Sequence, residues 1–138
     1  MVEREIFINA PIETVFQVIG DFESYPKFLS TTKQVRQWDV EGVTHAEFTI
    51  ELMREVSYTL KFQVDEPERL EWSLVEGDYM KKNEGGWQLT PMDGGTKALY
   101  RIHVEFGWMV PAWAVDKLTK TQLPATLEAF KKRAEELS

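Results

Sequence analysis

The sequence predicts an α+β fold: one curved antiparallel sheet of about seven strands, with an apolar face covered by a long, kinked C-terminal helix. Three observations lead there. From Thr32 to Phe106 the chain alternates apolar and polar residues with period two, in runs joined by short turn sequences. Val110 to Leu137 is the only long stretch with helical periodicity. Two short helical patterns separate the first strand from the rest.

Glu3 to Asn9 reads as the first strand, with Ile6 and Ile8 on one face. Pro11 opens the first short helix, where its missing N–H is no loss, and Glu13 adds negative charge near that N-terminus. Ile12, Val15, Phe16 and Ile19 form its apolar side, and Gly20 ends it. Asp21 is expected to cap the second short helix, which Pro26 cuts. Lys33 to Val40 is the next strand, and Glu41-Gly42 turns the chain. Thr44 to Met53 follows, with Ala46, Phe48, Ile50 and Leu52 facing in. After Arg54-Glu55, the inward residues are Val56, Tyr58, Leu60, Phe62 and Val64. Leu70, Trp72 and Leu74 continue that face before a turn at Gly77-Asp78. Trp87 and Leu89 belong to a sixth strand, weakened by Gly85-Gly86, which are assigned to a hairpin context like Gly94-Gly95. Asp93-Gly94-Gly95 is the strongest hairpin signal. The seventh strand sets Ala98, Tyr100, Ile102, Val104 and Phe106 against Lys97, Leu99, Arg101, His103 and Glu105. A meander apolar on one face only has one side to cover, and the C-terminal helix is the element available to cover it.

That helix carries two stripes. Leu123, Leu127, Phe130, Ala134 and Leu137 share one face of its second half, opposite Glu128, Lys131, Lys132 and Glu135. Ala114, Val115 and Leu118 form a stripe in the first half, rotated by roughly a quarter turn. Pro124 lies between them and is expected to kink the helix. A rod of about 40 Å with two misaligned stripes cannot seat evenly on a sheet, and a gap beneath it follows. Projected back through the kink, Asp116 and Lys120 fall toward the second stripe, where they would line a polar mouth; the alternative is a surface pair at i, i+4 spacing.

With 138 residues the chain reads as one domain, residues 1–138, long enough to bury a core without staples. It contains no cysteine, which excludes disulfides, thiolate metal sites and a cysteine nucleophile. A charge-interrupted N-terminus and the lack of long apolar runs give a soluble cytoplasmic protein as the expectation. Net charge is −7 with dispersed cations, apart from Lys131-Lys132-Arg133, so nucleic acid is not an expected partner. Five tryptophans, eight phenylalanines and four tyrosines exceed what a small core needs, and such rings also wall pockets.

Catalytic signals are sparse. His45 and His103 both fall on the polar face of their strands, without the carboxylate spacing of a metal site. Glu47, Glu51, Lys61, Glu71, Arg101 and Glu105 read as a solvated face of cross-strand pairs. Nucleophile elbow, phosphate loop and dinucleotide fingerprint are absent, and no cofactor is indicated. On the inward row, Tyr58, Tyr100, Trp72 and Trp87 bring polar atoms to an otherwise apolar face. Such atoms need partners when buried, which a ligand carbonyl or a water supplies.

Two stretches resemble a known family. NAPIETVFQVIGDFESYPKF is similar to the opening of the SRPBCC (START-like) superfamily, with Ala-Pro at the start of its first helix and Asp before a Tyr-Pro-x-Phe. VPAWAVDKLTKTQLPATLEAFKKRAEEL resembles the closing helix of the same group, in its polyketide cyclase/dehydrase and coenzyme Q-binding branch. The resemblance implies a helix-grip fold with a cavity between sheet and helix that holds a lipid, quinone, sterol or polyketide. It carries over no catalytic residue. The residues expected to contact such a ligand are Phe48, Ile50, Tyr58, Leu60, Phe62, Trp72, Leu74, Trp87, Leu89, Tyr100, Ile102, Trp113 and Leu118. The expected function is non-catalytic binding or transport of that hydrophobic small molecule, compatible with transient membrane contact and with no particular protein partner indicated. Two alternatives stand beside it. One is an aromatase/cyclase-like enzyme steered by Tyr58, Tyr100 or Arg101. The other is a ribosome-associating, toxin-like interaction module using Lys131 to Arg133 or the Trp108-Met109-Trp113 region.

Overall fold

The computed structural model describes residues 2–51 and 54–138. Its strands are β1 (Val2–Ile8), β2 (Thr32–Val40), β3 (Val43–Glu51), β4 (Glu55–Asp65), β5 (Arg69–Gly77), β6 (Met80–Met92) and β7 (Gly95–Phe106). They form an antiparallel sheet in the order β1-β7-β6-β5-β4-β3-β2, so the meander predicted from alternation is closed by β1 returning to pair with β7. Phe48 lies opposite Tyr58, Phe62 opposite Trp72, and Trp87 opposite Tyr100, which sets a continuous aromatic row on the inner face. Glu41 and Gly42 both have positive φ, 50° and 82°, the backbone of a two-residue turn whose twist matches its strands. The inner-face expectation for Leu52 and the strand end at Met53 fall outside the described residues.

Three expectations about the sheet and its flanks are corrected. Val64 is 48% exposed, because it lies near the end of β4, past Phe62, the last β4 residue that β3 pairs with. Gly85 and Gly86 sit in the middle of β6, paired with Trp72 and Glu71 of β5, and belong to no hairpin. The Asp21 side chain bonds no helix N–H; it accepts from Ser24 Oγ at 2.7 Å instead.

The cover is also shared. α1 (Ile12–Gly20) and the 3-10 helix Phe22–Lys27 pack on the same face as the C-terminal helix. Phe22 stacks on Phe62 with ring centroids 4.1 Å apart, and Tyr25 meets Phe130 edge-on at 5.2 Å. Ile8, Val15, Ile19 and Thr96 are fully buried and mark the closed end of the core. At that end α3 (Leu123–Leu137) is seated by Leu127, Phe130 and Ala134, whereas Leu137 is exposed. Lys131 and Glu135, expected on the solvent face, instead hold α3 to the edge of β1. Lys131 Nζ donates to the Phe7 carbonyl at 2.9 Å, Glu135 accepts from the Asn9 N–H at 2.8 Å, and the two side chains pair at 2.6 Å.

Between α2 (Ala112–Lys117) and α3 the chain makes a π-helical turn, Leu118–Gln122. The break therefore precedes Pro124 by one turn, and its form explains the two stripes. In an unbroken α-helix the face of Leu123 and Leu127 would continue onto Thr119, Lys120 and Asp116. Here the Leu123 N–H donates to the Leu118 carbonyl, five residues back. One extra residue in a turn shifts the phase by about 100°. Leu118 then takes the inward position, with Val115 and Ala114 behind it, and Asp116 and Lys120 are both exposed. They form no ion pair with each other among the described residues. Pro124 cooperates, because it has no N–H for the Lys120 carbonyl and sits in the first turn of α3, where none is needed.

Proline inside a helix costs about 3 kcal/mol, so its removal would stabilise a strained helix by that much. Here Pro124 already sits in the first turn of α3, where no N–H is needed, and the half-buried Val115 and Leu118 turn toward the sheet. Pro124→Ala is expected to change stability by less than about 1 kcal/mol and to retain the π turn. Urea denaturation together with amide exchange at position 124 measures this. Stabilisation near the full proline penalty would mean that the ring, and not the apolar stripe, sets the register.

Candidate ligand cavity

α3 packs against α1 and β1, but α2 and the π turn make little contact with the sheet. The front half of the C-terminal helix thus stands clear and leaves a hollow of about 470 Å³. Its floor is the inner face of the sheet: Phe48 and Ile50 of β3, Tyr58, Leu60 and Phe62 of β4, Trp72 of β5, Trp87 of β6, and Tyr100 and Ile102 of β7. Leu118 lines it from the roof. Period-two alternation on neighbouring strands brings these side chains together, since each inner residue faces another across the register.

Leu74, Leu89 and Trp113, also expected to line the site, do not. Leu74 packs against the core at the edge of the cluster. Leu89 is 3% exposed within the solid core, on the part of β6 that α1 covers. Trp113 is 57% exposed, because the phase that turns Ala114 and Val115 inward turns it out.

Sequence reasoning missed several lining residues. Tyr25 and Leu29 enter from the 3-10 helix and the segment after it, and Val115, Thr119, Gln122, Leu123, Thr126 and Phe130 from the roof. Asn83 is the most informative omission. It is a buried amide on the cavity wall, and its Oδ1 accepts from Trp72 Nε1 at 3.0 Å. Its parity with Trp87 and Leu89 along β6 was the available signal.

The electrostatics of the hollow are simple. No lysine, arginine, aspartate or glutamate is among the described residues lining it. Burial pushes the Tyr58 phenol up to about 12, and burial together with the nearby Tyr58 oxygen raises Tyr100 as well. Both remain neutral O–H groups at physiological pH. Tyr25 is raised too, chiefly by burial, and its hydroxyl is spent on the Ile19 carbonyl. His103 touches the rim, with Nε2 held 3.0 Å from Glu105 Oε2, and that contact lowers the pKa of the exposed carboxyl. His45 bonds the Val43 carbonyl through Nδ1 on the outer face. This arrangement can enclose an apolar molecule and offer it a few neutral hydrogen bonds.

A seven-stranded antiparallel sheet gripping a long C-terminal helix over a hollow is a START-like, helix-grip fold. The polyketide cyclase/dehydrase and lipid transport family matches residues 1–135, and the chain belongs to that family. Among solved structures, it is similar to a START superfamily protein from Mycobacterium smegmatis, with a TM-score of 0.84, 22% identity, and coverage of 99% of this chain and 98% of the other. It is also similar to the Zhui aromatase/cyclase from Streptomyces sp. R1128, with a TM-score of 0.80, 16% identity, and coverage of 97% and 92%. Likenesses at these identities establish the fold. A curated relative, the ribosome association toxin RatA of Escherichia coli K12, is 24% identical over 139 aligned positions, spanning 99% of this chain and 87% of the relative. Among the described residues no helix is long and apolar enough to cross a membrane.

Proposed function

We propose that this protein binds and carries a hydrophobic small molecule, such as a lipid, quinone or polyketide-like compound, in the hollow between the sheet and the C-terminal helix, without chemically altering it. The observation that supports this most directly is the hollow itself, about 470 Å³ walled by aromatic and aliphatic side chains with a few neutral polar groups. Pockets of a few hundred Å³ with that lining enclose ligands of drug size. The family's description, which joins cyclases with lipid transport, is in keeping with it. A cyclase role finds less support: Arg101 is exposed on the outer face, the described residues lining the hollow include no carboxylate, and their one histidine, His103, is paired with Glu105. The test is native mass spectrometry of the protein purified gently from its own host. A retained apolar compound of fixed mass is expected; a protein that emerges empty and takes up no lipid or quinone counts against the reading.

A second reading, an interaction module, has its own observation. Trp108 is 90% exposed, and Met109 and Trp113 are each 57% exposed, together at the start of the C-terminal helix. Apolar side chains clustered in this way mark contact surfaces. The Lys131 to Arg133 stretch is less suited to the role: Lys131 is engaged with β1, and the Arg133 guanidinium lies 5.6 Å over the Phe28 ring. The name of the RatA relative makes ribosomes the first partner to try. Replacing Trp108 and Trp113 together by serine is expected to leave the melting temperature nearly unchanged and to abolish co-sedimentation with ribosomes if that reading holds. Sedimentation with phospholipid vesicles, lost in the same variant, would assign the patch to a membrane instead.

A further inference from the structure

The polar groups inside the hollow narrow the ligand further, on the reading that the hollow is a ligand site. Neither the Tyr58 nor the Tyr100 phenol oxygen has a hydrogen-bond partner among the described residues, although Tyr100 is only 9% exposed. Among the described residues no sealed side-chain polar atom lacks a partner, so both oxygens open onto the hollow they line. They are also near enough to each other for the charge of one to disfavour that of the other. Asn83 supplies a third group. Its Oδ1 is occupied by Trp72 Nε1 at 3.0 Å, which fixes the amide and leaves Nδ2 with only Met80 Sδ, a weak acceptor, at 3.9 Å.

All three groups therefore present hydrogens. Each phenol has an O–H to donate, and the Asn83 amide, held through its oxygen by Trp72 Nε1, keeps N–H groups to offer. Unpaired donors in an apolar enclosure are compensated by an acceptor on whatever fills it. The acceptor cannot carry a charge at low cost. No lysine or arginine lines the hollow among the described residues, and a buried anion without a counter-ion is strongly disfavoured. Among the described residues lining the hollow the one histidine, His103, is turned to Glu105.

We infer that the ligand is an uncharged, carbonyl-bearing apolar molecule whose oxygens accept hydrogen bonds from Tyr58, Tyr100 and Asn83, and that carboxylates such as free fatty acids are excluded. Desolvation reinforces the point by keeping both phenols protonated well beyond neutral pH.

Three ring compounds of similar size separate the possibilities by titration calorimetry at neutral pH: menadione, methylnaphthalene and naphthoate. Menadione, with its two carbonyls, is expected to bind at least about tenfold more tightly than the hydrocarbon, since each neutral hydrogen bond is worth about three- to tenfold. Naphthoate is expected to show no binding. The double variant Tyr58→Phe/Tyr100→Phe keeps the ring volume, and circular dichroism checks its fold. It should bring menadione down toward methylnaphthalene while hydrocarbon binding persists. Equal affinity for menadione and methylnaphthalene, an unchanged preference in the double variant, or tighter binding of naphthoate overturns the inference and leaves the apolar site standing. Failure of all three compounds to bind overturns both the inference and the proposed function.

Discussion

Phe130→Ala is expected to lower the stability of the fold by about 3–5 kcal/mol, the usual range for deleting a buried phenyl ring. The ring is 4% exposed and meets three others edge-on, Tyr25 and Phe28 at 5.2 Å and Trp87 at 5.3 Å. It is the point where α3, the segment that opens with the 3-10 helix, and the sheet converge. Edge-to-face pairs add about 0.5–1.5 kcal/mol each beyond area burial, so the upper part of the range is the better expectation. The surroundings cannot collapse into the space, because Trp87 and Tyr25 are themselves held by the sheet and by the Ile19 carbonyl. A fall in melting temperature of about 10–20 °C would accompany the loss. Urea denaturation followed by circular dichroism measures both. Because Phe130 also lines the hollow, the deletion enlarges it, and an apolar compound that fills the space should recover part of the lost stability. A loss below about 1.5 kcal/mol would mean that α3 is held chiefly by Lys131 and Glu135 at the β1 edge, a partly exposed arrangement worth little by comparison.

The contrast between Phe130 and Trp113 shows how much of this architecture was legible in the chain. Phe130 belongs to a stripe of uninterrupted α-helical period, and such a stripe can be read directly. Trp113 lies across a π turn, and one inserted residue rotates everything before it by about 100°. Periodicity detects that the two stripes disagree, but not how the backbone reconciles them. The floor of the cavity was readable for a related reason. Period two has no such freedom unless a bulge intervenes, so Phe48, Tyr58, Phe62, Trp72 and Tyr100 all lie where alternation puts them. Asn83, Thr119, Gln122 and Thr126 were missed because polar residues are assigned to solvent by default. A cavity reverses that default, since a group facing a hollow avoids close packing with apolar neighbours. Tyr25 was missed because a 3-10 segment with an internal proline has no apolar period to follow.

Gly85→Ala is expected to destabilise the protein by at least about 3 kcal/mol, although it adds a single methyl group. A Cβ at this position would lie 2.1 Å from the Arg101 carbonyl oxygen and 2.9 Å from the Ile102 Cα, both of them backbone atoms of β7. No rotamer change relieves an overlap with backbone, so β6 and β7 must separate where Gly85 pairs with Ile102. The same Cβ would lie 3.0 Å from the ring of Trp72, which spreads over the space that the glycine leaves open. That ring is part of the cavity floor, and its Nε1 orients Asn83. The substitution should therefore damage the binding surface together with the fold, and Gly85→Val should cost little more than Gly85→Ala, because the first carbon already makes the clash. Gly86, whose Cβ would lie 2.8 Å from the Leu70 carbonyl oxygen, takes up the outer face of the same strand, so the pair lets β5, β6 and β7 approach closely at one place. Parallel denaturation of the alanine and valine variants tests this. If alanine is tolerated and only valine destabilises, the strands are further apart at this point than the register implies, and Trp72 has room to move.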